Sequence, residues 1–319
     1  MLTFLLPLAI AFVLCALIGP QLIPFLHRLK FGQSIRGCGP ASHMKKSGTP
    51  TMGGIMILVA LTVSVLFCCK LTPSVVIALV LTLGHALIGF LDDYIKVVMK
   101  RNLGLTAKQK FFCQFLLAGA YVYYAETHMQ DTTLWFPLLN VNVDCGWCFY
   151  VLVFLLLVGT TNAVNLTDGL DGLASFVTLP VALTYAVIAN AQGQTELCSF
   201  ALALAGGCLG FLLFNHHPAK VFMGDTGSLA IGGGIAALAL LTKTELLLVI
   251  LGGVYVMEAA SVIIQVSYFR FSHGKRIFRM TPIHHHFELG GWKETKVVLV
   301  FTLVSVVLCA LGYGLWLLK

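Results

Sequence analysis

Charged side chains are what this sequence has least of. Asp, Glu, Lys and Arg make up only 10% of 319 residues, whereas soluble domains carry about 25%. With 58% hydrophobic residues and a mean hydropathy of +0.92, that scarcity excludes an ordinary soluble domain and predicts a polytopic membrane protein. There is no low-complexity segment, clear internal repeat or separate soluble domain, so a single integral membrane domain over residues 1–319 is expected. No basic stretch precedes the first apolar run, which at about 25 residues exceeds a signal h-region; a cleavable signal is not expected. The ten cysteines form no regular ladder, and most lie inside apolar runs as small hydrophobes. Cys145-Gly146-Trp147-Cys148 is a lone C-x-x-C, without the second pair that a zinc site requires.

Long apolar runs are abundant. Leu2–Leu26, Met52–Cys69, Ser74–Leu91, Leu173–Ala189, Leu197–Phe214, Leu246–Phe269 and Val297–Leu318 can each span a bilayer as a helix. Phe111–Tyr124, Trp147–Thr161 and Ser228–Leu241 are weaker, and a polar hairpin separates the first two. The sum is an all-α protein of ten transmembrane helices. With ten spans, only Lys70, Lys243 and Lys319 of the twenty Lys and Arg residues fall on one side of the membrane. That bias puts both termini outside and five loops in the cytoplasm. The glycines at 206, 207, 210 and 232–234 are read as helix-packing positions.

The unusual polar residues collect in those five loops. Lys45-Lys46-Ser47-Gly48-Thr49-Pro50-Thr51-Met52-Gly53-Gly54 puts two bases, three hydroxyls and three glycines before a helix, a composition suited to phosphate. In the second loop, Asp92 and Asp93 end an apolar run, where acids are costly to desolvate. Lys96 and Lys100 follow Asp92 at four-residue steps, and His85 and Gly89 share that face. In the third, Asn162, Asn165, Asp168 and Asp171 recur every three residues as a polar stripe, which a turn built on Asp-Gly pairs alone does not need. The fourth runs from Asn215 through Phe222 to Asp225; an aspartate at a helix start can hold a hard cation or simply cap the helix. The fifth holds His284, His285 and His286, which lack zinc-site spacing and suit phosphate or a sugar acid instead. Glu258, Ser261 and Gln265 share a face of the ninth predicted helix, fitting a bundle hydrogen bond or a cavity wall. Hard oxygen donors and bases without a soft metal site point to Mg²⁺ and phosphorylated substrates. At a membrane boundary, one substrate can be lipidic and the other soluble.

These motifs resemble the polyprenyl-phosphate N-acetylhexosamine-1-phosphate transferase superfamily. The pair Asp92-Asp93, the run from Asn165 to Gly172 and Phe222-Met223-Gly224-Asp225 carry that likeness. Lys45–Gly54 and Pro282–Glu288 are similar to the phospho-N-acetylmuramoyl-pentapeptide-transferase (translocase I) family. The resemblance implies transfer of phospho-N-acetylmuramoyl-pentapeptide from its UDP conjugate to undecaprenyl phosphate, giving lipid I and UMP, with Mg²⁺. It implies a homodimer in the bacterial cytoplasmic membrane, a cytoplasmic site and no nucleic-acid partner.

By the same resemblance Asp225 ligates Mg²⁺, and Asp92, with Asp93 beside it, is the base or positioning group for the lipid phosphate. Asn165, Gly169, Asp171, Asn215 and Phe222 form a uridine pocket; Lys96, Lys108 and the three histidines meet the diphosphate and sugar; Gln265 lines the cavity. Lys46, Thr51, Asn162 and Asp168 complete the candidate substrate-binding set. Two mechanisms remain: direct attack by the lipid phosphate, or a phospho-aspartate intermediate. Direct attack is preferred because a phosphate with a second pKa near 6 is already largely dianionic. A sister enzyme using UDP-N-acetylglucosamine, an intramembrane prenyltransferase and an ion-coupled transporter using Glu258 are the alternatives. The fifth loop argues against the first, Lys96 after the acid pair against the second, and acids gathered at one edge against the third.

Overall fold

The computed structural model describes residues 2–29, 46, 48–97, 99 and 104–319. The predicted basic residues Lys30, Arg36, Lys45, Lys100 and Arg101, together with Ser47, lie outside the described residues.

Helices dominate in the order α1 (Leu2–Arg28), α2 (Gly54–Cys68), α3 (Pro73–Val97), α4 (Ala107–Tyr124), α5 (Cys148–Thr167), α6 (Leu173–Ala191), α7 (Thr195–Asn215), α8 (Gly224–Leu241), α9 (Leu248–Leu251), α10 (Gly253–Phe271), α11 (Ile283–Leu289) and α12 (Glu294–Trp316). Among the described residues, α1, α3, α5, α6, α7, α8 and α12 are long and apolar enough to cross a membrane. The apolar α2 has 15 residues. α4 and α10 carry more polar residues, among them Lys108, Lys110 and Gln114 on α4 and Glu258, Gln265 and Arg270 on α10.

The structure amends the sequence reading in three places. The chain is not wholly α: between α4 and α5, β1 (Thr133–Phe136) and β2 (Val141–Asp144) form an antiparallel hairpin with Phe136 opposite Val141. Asn140 turns it with a φ of +50°, and its side-chain oxygen accepts from Trp135 Nε1 at 3.0 Å. The predicted span Leu246–Phe269 is interrupted at Gly252, giving a one-turn α9 and then α10. Several helices also outrun their apolar runs. α3 continues through Asp92, Asp93 and Lys96, and α5 through Asn162 and Asn165, so these polar groups stand on helices rather than in loops. Polar residues keep a helical backbone there because their side chains find partners on neighbouring elements.

α8 lies at the centre, buried almost throughout and packed against α3 and α5. Small residues let the backbones approach, as predicted for packing. A Cβ on Gly206 would fall 2.2 Å from the Leu8 carbonyl oxygen, and one on Gly232 would fall 2.5 Å from Thr161 Cα. The C-terminal ends of α3, α5 and α7 and the N-terminal ends of α2, α4, α6, α8 and α12 meet at one end of the bundle, where hydrogen bonds join them (below).

Candidate functional site

The site is built where α3 meets the start of α8. Gly89 permits this meeting, since a Cβ there would lie 2.1 Å from the Asp225 carbonyl oxygen. His85, one turn earlier, is also a packing residue: its Nδ1 meets the Leu81 carbonyl at 2.7 Å and its ring lies against Gly233. Beyond Gly89 the adjacent acids diverge. Asp93 accepts from Asp225 N at 3.2 Å, Thr226 N at 2.9 Å and Thr226 Oγ1 at 2.7 Å, satisfying the first N–H groups of α8. Asp92 turns to the bases: Lys96 contacts Oδ2, Lys110 Nζ lies 3.1 Å from Oδ1, and Leu105 N donates to Oδ1 at 2.7 Å.

Asp225 completes the group. Its Oδ2 accepts from Lys96 at 3.1 Å and Lys110 at 2.8 Å, and its Oδ1 accepts from Asn165 Nδ2 at 3.0 Å. Asn165 also reaches Ser228 Oγ at 2.8 Å. Oxygen atoms of Asp92, Asp93 and Asp225 lie within 4.8 Å of one another. Three carboxylates face two ammonium groups, so one negative charge remains. All the donors are hard oxygens. A cluster of that composition can hold a divalent cation.

Asp168 ends α5 nearby and is partly exposed. Burial of its carboxyl group, and then the charges of Asp225, Asp93 and Asp171, hold that carboxyl well above the usual range. Thr51 is buried beside Gly224, whose absent Cβ would sit 2.8 Å from Thr51 Oγ1. Backbone hydrogen bonds zip this first stretch to the fourth: Phe222 N to Pro50 O at 2.8 Å, Gly53 N to Phe222 O at 2.8 Å and Gly54 N to Met223 O at 2.9 Å. They leave the Phe222 ring half-buried.

A second polar cluster adjoins the first. Lys46 Nζ lies 2.8 Å from Asp171 Oδ1 and 2.6 Å from Glu294 Oε1. Glu294 Oε1 also accepts from Asp171 N at 2.7 Å. His217 Nδ1 lies 3.0 Å from Asp171 Oδ2 and 3.4 Å from Glu294 Oε2. Thus one carboxylate on α12 engages residues from three other connections. Asn215 braces the same corner, accepting from Gly172 N at 3.1 Å and donating to Val221 O at 2.8 Å. A cavity of about 280 Å³ opens here, lined by Asp171, Phe176, His216, His217 and α12 residues including Thr295.

The three histidines point to three different partners. His284 Nδ1 meets the buried Glu258 Oε1 at 3.0 Å, and its Nε2 packs where a Cβ on Gly169 would be, 2.3 Å away. His285 Nδ1 meets Glu288 at 2.9 Å, and His286 Nδ1 accepts from Arg279 N at 3.1 Å. Gln265 Oε1 accepts from Ile277 N at 3.1 Å and Phe278 N at 2.8 Å, clasping the approach to α11. Asn162 bonds Val158 O at 2.8 Å and Gln114 Oε1 at 3.3 Å, within the α4–α5 contact. Lys108 is exposed and points at none of these groups, whereas Lys110, two residues on, reaches both Asp92 and Asp225. Lys110, His217 and Glu294 are the residues that sequence reasoning did not select. The available signal for Glu294 was a solitary acid in the first turn of a long apolar helix, which also reads as a simple helix-dipole partner.

The acids, lysines and histidines gathered at the joined loop ends of this helical bundle are a donor set that a membrane-embedded transferase of phosphorylated groups can use. Consistent with that, the Glycosyl transferase family 4 model matches residues 75–243. The phospho-N-acetylmuramoyl-pentapeptide-transferase signature 1 matches residues 46–58, the stretch that carries Lys46 and Thr51. The chain is 57% identical to phospho-N-acetylmuramoyl-pentapeptide-transferase of Heliobacterium modesticaldum over 297 residues, covering 93% of this chain and 92% of the relative. It is 53% identical to the Bacillus subtilis enzyme of that name over 94% of each chain, and 52% identical to that of Moorella thermoacetica over 96% of each. The chain therefore belongs to the phospho-N-acetylmuramoyl-pentapeptide-transferase family.

Proposed function

We propose that this protein transfers phospho-N-acetylmuramoyl-pentapeptide from its UDP conjugate to undecaprenyl phosphate, releasing UMP and leaving lipid I in the membrane. Beyond the family likeness, one observation carries the reading. Asp92, Asp225, Lys96 and Lys110 form a single charged cluster at the end of membrane-spanning helices, where a lipid phosphate and a soluble diphosphate can meet.

In this reading α9 and α10 together make one span, so ten spans place both termini outside and the site at the cytoplasmic face of the bacterial inner membrane. The charge bias of the loops supports that orientation. The enzyme works as a homodimer, as the family resemblance implies.

Asp225, with Asp92 and Asp93 nearby, is the proposed holder of Mg²⁺. A bound Mg²⁺ supplies charge neutralisation at the diphosphate. Lys96 and Lys110 stand ready to take phosphate oxygens as well as carboxylates. Asp92, held by Lys96, Lys110 and Leu105 N, positions the lipid phosphate. Asn165 orients Asp225, and Asp168 lies beside the same group. Lys46, Asp171, Asn215 and the Phe222 ring form the nucleotide end, with Gly169 and Thr51 shaping the walls. His285 and His286 serve the sugar side, and His284, Asn162 and Gln265 hold that side in place. Asp92, Asp93 and Asp225 are all engaged by N–H, O–H or ammonium donors, which favours direct attack by the phosphate dianion over an aspartyl nucleophile.

The test is UMP release by purified protein, expected to require both Mg²⁺ and a polyprenyl phosphate. Asp225→Asn is expected to lose at least a hundredfold. Normal turnover by Asp225→Asn would remove the metal assignment, and trapping a phospho-aspartate from UDP-sugar without lipid would overturn direct attack.

A further inference from the structure

The C-x-x-C motif lies at the other end of the bundle, where α4 ends and α5 begins. It closes the base of the β1–β2 hairpin: Cys145 N donates to Thr132 O at 3.2 Å, and Gly146 N donates to Asp144 Oδ1 at 3.0 Å. Gly146, with a φ of +49°, then turns the chain, and Cys148 N donates back to Cys145 O at 3.1 Å. Such a four-residue turn brings its terminal Cα atoms within about 7 Å, and a disulfide spans about 4.4–6.8 Å. Among the described residues Cys145 Sγ is engaged by a 3.6 Å contact to Val143 O, which a rotation about one side-chain bond breaks.

Among the described cysteines Cys148 alone is exposed; Cys145 is half-buried, as are Cys68, Cys69 and Cys113, and Cys15, Cys198, Cys208 and Cys309 are buried. Cys148 is also the first residue of α5. In the orientation proposed above this end faces outside, where disulfides persist. We infer that Cys145 and Cys148 are a redox couple on the outer face, a dithiol that exchanges with external disulfides to form an intrachain bond. The placement, but not the chemistry, rests on the proposed orientation.

The exchange balances without a metal. The Cys148 thiolate attacks one sulfur of an external disulfide and expels a thiolate. Cys145 then attacks the Cys148 sulfur of the mixed disulfide and expels the second. One S–S bond is broken and one is formed, and the two protons from the cysteines leave on the released thiols. The product staples the hairpin root to α5. The hairpin is tied elsewhere by Asn140 Nδ2 to Leu318 O at 2.8 Å and by Lys319 over the Trp135 ring.

The test is differential alkylation of the full chain in membranes equilibrated with oxidised or reduced glutathione. Labelling of Cys148 is expected to fall at least tenfold in oxidised buffer and to return with dithiothreitol, while the peptide bearing both cysteines loses two hydrogens. Cys145→Ser is expected to abolish that loss, with one glutathionyl group instead remaining on Cys148 as a stable mixed disulfide and the other half of the oxidised glutathione released as the thiol. The double Ser variant is expected to keep its UMP release. The couple is overturned if Cys148 labelling ignores the buffer, if the unsubstituted protein also stops at the mixed disulfide, or if a chelator is what restores labelling. An impermeant maleimide on intact cells tests placement separately: labelling of the reduced pair only after lysis would overturn the outer location, whatever the buffer titration shows.

Discussion

Lys110→Gln, set against Lys108→Gln, isolates the electrostatics of the Asp92–Asp225 cluster. Both lysines lie in the first turn of α4, but only Lys110 turns inward, 3.1 Å from Asp92 and 2.8 Å from Asp225. Losing one partner of a buried ion pair costs about 3–5 kcal/mol. Here the cost is smaller, because the Lys110 side chain is 21% exposed and Lys96 still touches both carboxylates. Counting two charge-assisted bonds partly replaced by Lys96 leaves about 2–3 kcal/mol. At 1.36 kcal/mol per decade, that is roughly 30- to 150-fold in kcat/KM. Lys108 is exposed and has no partner among the described residues, so its substitution should stay within about twofold. The assay is UMP release at saturating polyprenyl phosphate with UDP-sugar varied, beside thermal melts of both variants. If both fold equally well and Lys108→Gln is the more damaging, the assignment of Lys110 to the charge cluster is wrong.

Glu294→Gln should weaken the nucleotide end, because the amide oxygen can still accept from Lys46 and the Asp171 N–H but carries no charge to pair with the Lys46 ammonium. Loss of one charge-assisted bond predicts a rise in KM for the UDP-sugar of about tenfold with kcat changed little. An unchanged KM with a depressed kcat would move Glu294 out of substrate binding. At the opposite end, burial raises the Glu245 carboxyl to about 7. The folded chain then binds this proton more tightly than the unfolded one. Glu245 therefore destabilises progressively as pH rises from its ordinary value near 4.5 to about 7, and by a constant amount above that. Glu245→Gln should raise Tm relative to the unsubstituted protein by an increment that grows across that window and then levels off; an increment independent of pH would refute the assignment.

Much of the bundle was legible because a long apolar run can leave water for lipid only with its backbone hydrogen bonds closed: apolar runs of 18 residues or more became helices, and the loops rich in polar residues did gather at one end. Helix ends were less legible. Asp92, Asn162 and Asn165 read as loop residues because their polarity is compensated in part by Lys110, Gln114 and Asp225, partners distant in sequence. The same limit explains Lys108 and Lys110. Both are bases in a basic segment, and only the rotation of α4, set by the capping box of Thr106 and Gln109, selects between them. The histidine triplet was visible as a motif, but its split into three separate contacts depends on Glu258, Glu288 and the Arg279 backbone. Gly89 was legible only as a residue on the Asp92 face and Gly169 only as part of a uridine pocket, and each is where another group occupies the space of a Cβ.

The acid pair illustrates why adjacent residues need not share a task. Successive side chains on a helix point about 100° apart, so i and i+1 do not face the same partner. Asp92 therefore meets the lysines, while Asp93 is carried to α8 and receives the N–H groups of Asp225 and Thr226 and the Thr226 hydroxyl. Asp93 is in effect a cap supplied by a neighbouring helix, and it holds the backbone of Asp225 in place. Asp93→Asn leaves one oxygen to serve donors that now use two, and turns an amide toward the remaining N–H. A cost of about 2 kcal/mol follows from a lost cap and one broken charge-assisted bond, a fall in Tm of roughly 4 °C for a chain of this size. Asp92→Asn keeps an acceptor for Leu105 N and removes charge from the lysines instead. It should lower turnover at least a hundredfold while moving Tm by less than half as much. Melts and UMP release on the two variants separate the roles. An Asp93→Asn protein that melts normally yet is inactive would make Asp93 a chemical participant rather than the support of Asp225.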